Sequence, residues 1–187
     1  MGADSEVSFS KLDGTGLRVG IIKTRWNTKH VENLVNGAKE SLKECNVTTI
    51  FETEVPGSYE LPLAARLLAL SGTVDAIICT GVLIKGETKH FEYICDAVSS
   101  GLMTVGLQTT TPVVFGVLTC LNEEQVISRS CGDNNHGCDW GKTAVEMALL
   151  KREAFGQAKK RGNMGFGSSE ITPVDAASAD VKKGGFF

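Results

Sequence analysis

The segment VDAIICTGVLI, residues 74–84, decides the fold, because it is an almost continuous apolar run. A strand that is apolar on both faces is typical of a parallel sheet covered by helices on both sides. Two further runs have the same character, LRVGII at 17–22 and PVVFGVLTC at 112–120. A fourth run, VTTIFETEV at 47–55, alternates more between apolar and polar residues, which favours an edge position. We therefore predict four strands.

Segments with helical periodicity separate these strands. Apolar residues recur at three- and four-residue intervals over residues 29–45, 59–70 and 89–107. After the fourth strand, NEEQVISRS predicts a short helix with Asn122 as its N-cap, and a last helix is predicted over about 139–155. Alternating strands and helices imply right-handed crossovers. The prediction is an α/β fold: a three-layer α/β/α sandwich with a four-stranded, mostly parallel sheet in flavodoxin-like strand order.

The chain has 187 residues, which is enough for one domain with a substantial core. Residues 1–16 are predicted to form an N-terminal arm, and residues 17–155 to form the α/β domain. Residues 156–187 are rich in Gly, Ser, Ala and charged residues, so we predict a flexible C-terminal tail.

Composition excludes several classes of protein. The net charge of −3 gives no global field that favours nucleic acid or an anionic membrane. The polar N-terminus lacks the apolar core of a secretory signal, and no apolar run reaches the roughly 18 residues of a membrane span. The six cysteines are irregularly spaced without a Cys-x-x-Cys pair, so reduced thiols and a cytoplasmic location are predicted.

The sequence cluster of Cys131, His136, Cys138 and Asp139 contains residue types that can bind a metal ion. Structural zinc sites usually show closer ligand pairs and a second pair at a defined distance. The spacing therefore disfavours a metal, and none is predicted.

The ends of the predicted strands indicate where chemistry could occur, because ligands of open α/β sheets bind outside the carboxyl ends of the strands. The first strand ends in TRWNT, which delivers Trp26 and Asn27 to that edge. Trp26 could pack on a helix or present a flat face to a planar heterocycle. Asn27 could hold a ligand or serve as the N-cap of the next helix.

The second strand ends in VPGSYELP. Gly57 allows a close approach to the backbone, the helix start offers free N–H groups, and Glu60 could accept hydrogen bonds from hydroxyls. A turn followed by an N-cap is the alternative interpretation.

The third strand ends in KGETKH, which places His90 at a predicted helix start. A helix N-terminus disfavours a positive charge, which favours the neutral imidazole that can accept a proton. A structural or solvated histidine is the alternative. Neither GxGxxG nor GxxxxGK[ST] occurs, which disfavours a nucleotide-binding Rossmann protein.

A Gly/Asn-rich loop, RSCGDNNHGCDWGK at 129–142, follows the fourth strand and its short helix. Arg129 and Lys142 flank it and His136 lies within it. Such a loop beside a helix start can bind phosphate, or it can be a solvated helix–helix turn.

Taken together, these stretches resemble lumazine synthase, the penultimate enzyme of riboflavin biosynthesis, in its fungal branch. The resemblance runs from about Leu17 to Leu150 and includes the same α/β fold. It is carried by five blocks in order: RWN at 25–27, VPGSYELP at 55–62, GVLIKGETKHFEY at 81–93, PVVFGVLTCLNEEQ at 112–125 and HGCDWGKTAVEMA at 136–148.

The resemblance implies a transferase that joins 5-amino-6-(D-ribitylamino)uracil to 3,4-dihydroxy-2-butanone 4-phosphate. The products would be 6,7-dimethyl-8-ribityllumazine, phosphate and water, with neither a metal nor an organic cofactor. Its partners would be these small molecules and further copies of the chain, because the family's active sites lie between subunits of a homopentamer.

The resemblance also implies roles for individual residues. His90 would shuttle protons, and Arg129 would bind the phosphate with His136 nearby. Trp26 would stack on the pyrimidine, and Phe115 of a neighbouring subunit would cover its other face. The other implied substrate contacts are Asn27, Gly57, Ser58, Tyr59, Glu60, the main chain at Leu83 and Ile84, Glu87 and Thr88.

Two other classes of protein are alternatives to this enzyme. A non-catalytic lumazine- or flavin-binding or shell-forming relative would need Trp26 but neither His90 nor Arg129, and both are present. A flavodoxin-like electron carrier would need a phosphate-binding loop after the first strand, and RWNTKH does not resemble one.

Overall fold

A computed structural model describes residue 9 and residues 11–161, with side chains through Gly156. Strands and helices alternate along this part of the chain, and two short 3-10 turns, Ser58–Glu60 and Gly132–Asn134, precede α2 and α5. The elements are β1 (Arg18–Thr24), α1 (Thr28–Glu44), β2 (Thr49–Val55), α2 (Leu61–Leu70), β3 (Ala76–Ile84), α3 (His90–Thr109), β4 (Val113–Cys120), α4 (Glu123–Ser130) and α5 (His136–Arg161).

The four strands form one sheet in the order β2-β1-β3-β4, and every neighbouring pair is parallel. The predicted parallel sheet and its flavodoxin-like order are therefore confirmed. β2 lies at an edge, as its alternating sequence indicated, and it has no fully buried residue. The central strand β3 pairs with β1 from Ala76 to Thr80 and with β4 from Ile77 to Ile84.

The core has two halves, because alternate side chains of each strand point to opposite faces of the sheet. One half joins the sheet to α1, α4 and α5 and includes Ile21, Leu34 and Val126. The other half joins it to α2 and α3 and includes Ile22 and Leu61. Helices thus cover both faces, which confirms the predicted three-layer sandwich.

Helices α1 and α5 cross at unusually short range because glycines line the contact. A β-carbon on Gly137 would overlap the carbonyl oxygen of Leu34, and one on Gly141 would lie 2.7 Å from the carbonyl oxygen of Ala38. Residues with side chains could not make this crossing without displacing backbone. The glycine contact therefore fixes the start of α5, where His136 lies.

Helix boundaries differ from the predicted ones where side chains cap the ends. The Asn135 side chain accepts a hydrogen bond from Gly137 N at 2.9 Å, and α5 begins at His136 rather than near 139. The predicted cap of α4 is confirmed, since Asn122 Oδ1 accepts a hydrogen bond from Gln125 N at 3.0 Å.

The contacts divide the chain into two units. The sheet and its covering helices belong to residues 1–152, and of the second unit, residues 153–187, the structure describes the last part of α5. The predicted arm, 1–16, and the predicted tail, 156–187, lie largely outside the described residues, so both boundaries stay predictions. Among the helices that are described, none is both long and apolar enough to cross a membrane.

Candidate active site

A cavity of about 530 Å³ opens at the carboxyl edge of the sheet, between β1 and β3. The connection after β1 leads to β2 on one side, and the connection after β3 leads to β4 on the other side. Open α/β sheets bind ligands at such a reversal of strand order. The volume is in the range of small-molecule sites. The lining residues are Trp26, Asn27, Gly57, Ser58, Tyr59, Glu60, Val82, Leu83, Ile84, Gly86, Thr88, His90, Phe91 and Ile94.

Trp26 follows β1 and is 73% exposed. A tryptophan that packed on a neighbouring helix would be largely buried, so the packing interpretation is wrong. The indole instead lies against the backbone of the next turn: a β-carbon on Gly57 would be 3.3 Å from Trp26 Cδ1. Trp26 therefore presents a flat apolar surface to the cavity.

Asn27 occupies the N-cap position of α1, but its side chain makes no capping hydrogen bond. Its Nδ2 donates to the carbonyl oxygen of Val82 at 2.9 Å. The residue adopts left-handed backbone angles, φ 58° and ψ 40°, which asparagine tolerates better than most residues. Asn27 therefore ties the end of β1 to β3 at the mouth of the cavity.

The turn after β2 packs on the sheet through two glycines. A β-carbon on Gly57 would lie 3.2 Å from Glu60 Oε2, so the missing side chain leaves room for both Glu60 and Trp26 beside the backbone of this turn. A β-carbon on Gly81 of β3 would lie 2.7 Å from Ser58 Oγ. Ser58 is consequently buried at the base of the cavity. Tyr59, in contrast, is 62% exposed.

The end of β3 offers backbone groups to the cavity. Pairing with β1 stops at Thr80, whereas pairing with β4 continues to Ile84. Successive residues of a strand direct their N–H and C=O groups to alternate sides. The Lys85 N–H donates a hydrogen bond to β4, and the Val82 carbonyl accepts one from Asn27 on the opposite side. The main-chain groups of Ile84 point to the same side as those of Val82, which is the side that β1 leaves open. Leu83 then contributes its side chain, and its main chain faces β4.

His90 is the first residue of α3, and its side chain is exposed beside the cavity. Its backbone N–H donates to Thr88 Oγ1 at 3.4 Å, which shapes the turn before the helix. An ion pair of 2.7 Å between Lys85 Nζ and Glu92 Oε1 spans the same turn. Glu87 belongs to this turn but is not among the residues that line the cavity.

Three predicted site residues lie away from the cavity. Phe115 is 40% exposed on the outer strand β4, on the face that α2 and α3 cover. Arg129 is on α4, at the opposite face, where its Nη1 donates to the carbonyl oxygen of Gln125 at 2.9 Å. His136 begins α5. The structure of a single chain therefore does not unite these three residues with the other predicted site residues.

Arg129 and His136 form a second polar group. Burial and the positive charge of Arg129 lower the pKa of His136 below its usual value, against the opposing effect of Asp139. The His136 ring also packs edge-on against Trp140, with 6.4 Å between the ring centroids. His136 is thus held neutral at neutral pH, next to a guanidinium that can bind an anion.

Four lining residues were not predicted: Val82, Gly86, Phe91 and Ile94. Phe91 and Ile94 belong to the apolar periodicity that predicts a helix over residues 89–107. The signal that could have found them is helical spacing, because Ile94 lies four residues after His90 and three after Phe91 and so neighbours both on the helix surface. In the described part of the chain, no three His, Cys, Asp or Glu residues form a group that could hold a metal ion.

Comparison with known proteins identifies the family. The family model described as 6,7-dimethyl-8-ribityllumazine synthase matches residues 16–152. The chain belongs to this family. The protein of that name from Schizosaccharomyces pombe is 50% identical over 145 residues, a match that covers 75% of this chain and 91% of the relative. The Pyricularia oryzae protein of the same name is 41% identical over 182 residues, with the same coverage.

The family is not restricted to fungi. The 6,7-dimethyl-8-ribityllumazine synthase of Pyrococcus furiosus is 41% identical over 140 residues, which covers 75% of this chain and 88% of the relative. The prediction of a lumazine synthase, a transferase of riboflavin biosynthesis, is confirmed. The comparisons give no support to the non-catalytic alternative.

Proposed function

We propose that the cavity between β1 and β3 is where this chain condenses 5-amino-6-(D-ribitylamino)uracil with 3,4-dihydroxy-2-butanone 4-phosphate. The observation that carries the assignment is the meeting of Trp26, Glu60 and His90 around one space. These residues supply an aromatic surface, a hydrogen-bond acceptor and a proton-transfer group. The reaction uses all three.

The pyrimidine substrate binds on the inner side of the cavity in this proposal. Its ring stacks on the exposed indole of Trp26. The uracil edge, which carries donors and acceptors, pairs with the main chain of Ile84. Glu60 and the turn at Ser58 and Tyr59 hold the ribityl hydroxyls, with Asn27 keeping this side of the cavity in place.

His90 moves protons while the amine attacks the ketone and while phosphate leaves. It lies on the cavity at the start of α3, and its exposed imidazole can exchange protons with water. A positioned proton-transfer group contributes about 10²- to 10⁴-fold. Holding two substrates in reacting geometry can supply roughly 7 to 11 kcal/mol of the barrier. Loss of His90 should therefore slow the reaction without abolishing it.

A second copy of the chain completes the site in this proposal. Phe115, Arg129 and His136 lie outside the cavity of their own chain. Large apolar side chains are also exposed on α2 and α3, namely Leu63, Leu67, Leu70, Met103 and Leu107. Burying such a face against a neighbour removes apolar area from water. We propose a homopentamer in which Phe115 of one copy covers the pyrimidine bound to the next. Arg129 takes up the phosphate, helped by the backbone N–H groups at Glu87 and Thr88 before α3.

The test is an assay with both substrates, followed by lumazine absorbance and fluorescence. His90→Ala should lower kcat by about 10²-fold or more, in line with a proton-transfer role, while the neighbouring control Lys89→Ala should not. Arg129→Ala should raise KM for the sugar phosphate. Full kcat in His90→Ala at its optimal pH would overturn the assignment of His90, and no product above the uncatalysed rate would overturn the site as a whole.

Assembly and location need separate measurements. Sedimentation equilibrium or light scattering distinguishes a monomer, a pentamer and a sixty-subunit shell, and a monomer would contradict the shared site. A cytoplasmic location is part of the proposal, supported by six cysteines that are all free thiols in the structure. Cell fractionation tests it.

A further inference from the structure

The third histidine, His30, lies on α1 and is almost completely buried, with 7% of its surface exposed. It does not line the cavity. Its Nδ1 lies 3.3 Å from Ser130 Oγ, and its Nε2 lies 3.5 Å from Glu123 Oε1. Glu123 is the first residue of α4 and Ser130 is the last. One imidazole therefore bridges both ends of the helix that carries Arg129.

Helix α4 needs such a bridge because it is short. With eight residues it is far below the length of about 12 to 15 at which an isolated helix becomes marginally stable. Its buried residues are Val126 and Ser130, so few apolar contacts fix its rotation about its own axis. Ser130 adjoins Arg129, and a rotation of α4 would move the guanidinium.

The loop after α4 is held along the same side of α1, one helical turn further on. Asn33 Nδ2 donates to Cys131 Sγ at 3.3 Å, and the Asn33 carbonyl accepts a hydrogen bond from Asn135 Nδ2 at 2.9 Å. His30 and Asn33 together therefore hold the segment 130–135. Arg129 precedes that segment and His136 follows it.

We infer that His30 is a positioning residue, which orients Arg129 for phosphate binding by fixing α4 on α1. The inference rests on the proposed role of Arg129 in binding the sugar phosphate. His30 touches no substrate in this scheme, and it acts through Ser130 and Glu123.

A nucleophilic role for the same cluster does not fit the geometry. Ser130, His30 and Glu123 superficially resemble a hydrolase triad. Ser130, however, has no exposed surface, and no substrate carbonyl can reach its hydroxyl. The cluster is therefore a link between helices.

The test compares His30→Leu, which removes both polar contacts, with His30→Asn, whose amide can replace Nδ1 towards Ser130. His30→Leu should raise KM for the sugar phosphate about tenfold or more, since a displaced guanidinium loses charge-assisted hydrogen bonds to the phosphate. KM for the pyrimidine should stay nearly unchanged. His30→Asn should restore much of the loss. Leu42→Ala, at the other end of α1, is the matched control: it lowers Tm without a selective change in KM.

Hydrogen exchange supplies a readout that does not depend on turnover. Amides of residues 129–135 should exchange faster in His30→Leu than in wild type or His30→Asn, and those of α3 should not change. If His30→Leu does not fold, Ser130→Ala is the substitute variant. It removes the contact between Ser130 and His30 Nδ1 with less loss of volume, and it should show the same selective KM effect. An equal rise of both KM values, or unchanged exchange at 129–135, would overturn the inference. Absence of product with the wild-type enzyme would instead overturn the proposed function.

Discussion

Replacing Trp26 by alanine should weaken binding of the pyrimidine substrate and leave the stability of the fold nearly unchanged. The side chain is 73% exposed, so its removal uncovers little buried surface. Exposed substitutions away from capping or strained positions change the free energy of unfolding by about 0.5 kcal/mol or less. We expect Trp26→Ala to unfold at nearly the wild-type temperature.

Binding of the pyrimidine substrate should suffer much more. Stacking of a base on an aromatic side chain is worth about 1 to 3 kcal/mol, measured by alanine substitution. Since each 1.4 kcal/mol is tenfold, the affinity of 5-amino-6-(D-ribitylamino)uracil should fall by about 5- to 150-fold. Trp26→Phe keeps a smaller ring and should lose less.

Calorimetric titration with that substrate measures the affinity, and tryptophan fluorescence gives an independent signal. The chain has two tryptophans, and Trp140 packs beside His136 away from the cavity. Substrate should therefore quench wild-type fluorescence more strongly than Trp26→Phe fluorescence. An affinity of Trp26→Ala within twofold of wild type, with the fold intact, would refute the stacking argument.

Three further substitutions test the surrounding structure. Gly81→Ala places a β-carbon 2.7 Å from Ser58 Oγ, so it should cost about 1 to 3 kcal/mol of stability and weaken pyrimidine binding, as thermal melts and titration would show. Glu52→Gln should lose about 1 kcal/mol or less at pH 7, because hydrogen bonds from Lys23 and then Lys39 lower the pKa of Glu52, but water screens them on the exposed edge strand β2. That stabilisation is complete above the usual value of 4.5 and is lost as pH falls through the folded pKa, so urea melts of mutant and wild type should converge in acid. Asn122→Ala removes the cap of α4 and should cost about 1 kcal/mol, and an unchanged melt would contradict the capping role.

Much of the fold follows from patterns that a sequence displays directly. β3 and its neighbours are apolar on both faces, and no exposed sheet could tolerate such strands. Helix α4 was predictable because Asn122 and two acidic residues mark its start. The position of the cavity was predictable too, because the carboxyl ends of parallel strands meet at one edge of the sheet.

Other features depend on contacts that no local pattern reveals. Asn27 looks like an N-cap in the sequence, yet its amide bonds to Val82, far away in the chain. Phe91 and Ile94 have the spacing of a core stripe, and whether such residues face a core or a cavity depends on tertiary packing. His30 carried no signal at all, since its partners on α4 are about a hundred residues distant.

The contact between α1 and α5 bears on how this protein can be altered. Where backbone meets backbone, at Gly137 against Leu34, there is no side chain to trim or repack. Substitutions at the exposed residues Trp26 and Tyr59, at the mouth of the cavity, can therefore alter substrate preference with little loss of stability. Substitutions of the glycines between α1 and α5 would instead destabilise the fold, although these glycines do not line the cavity. Libraries that hold these glycines constant should yield a larger fraction of soluble variants than libraries that randomise them.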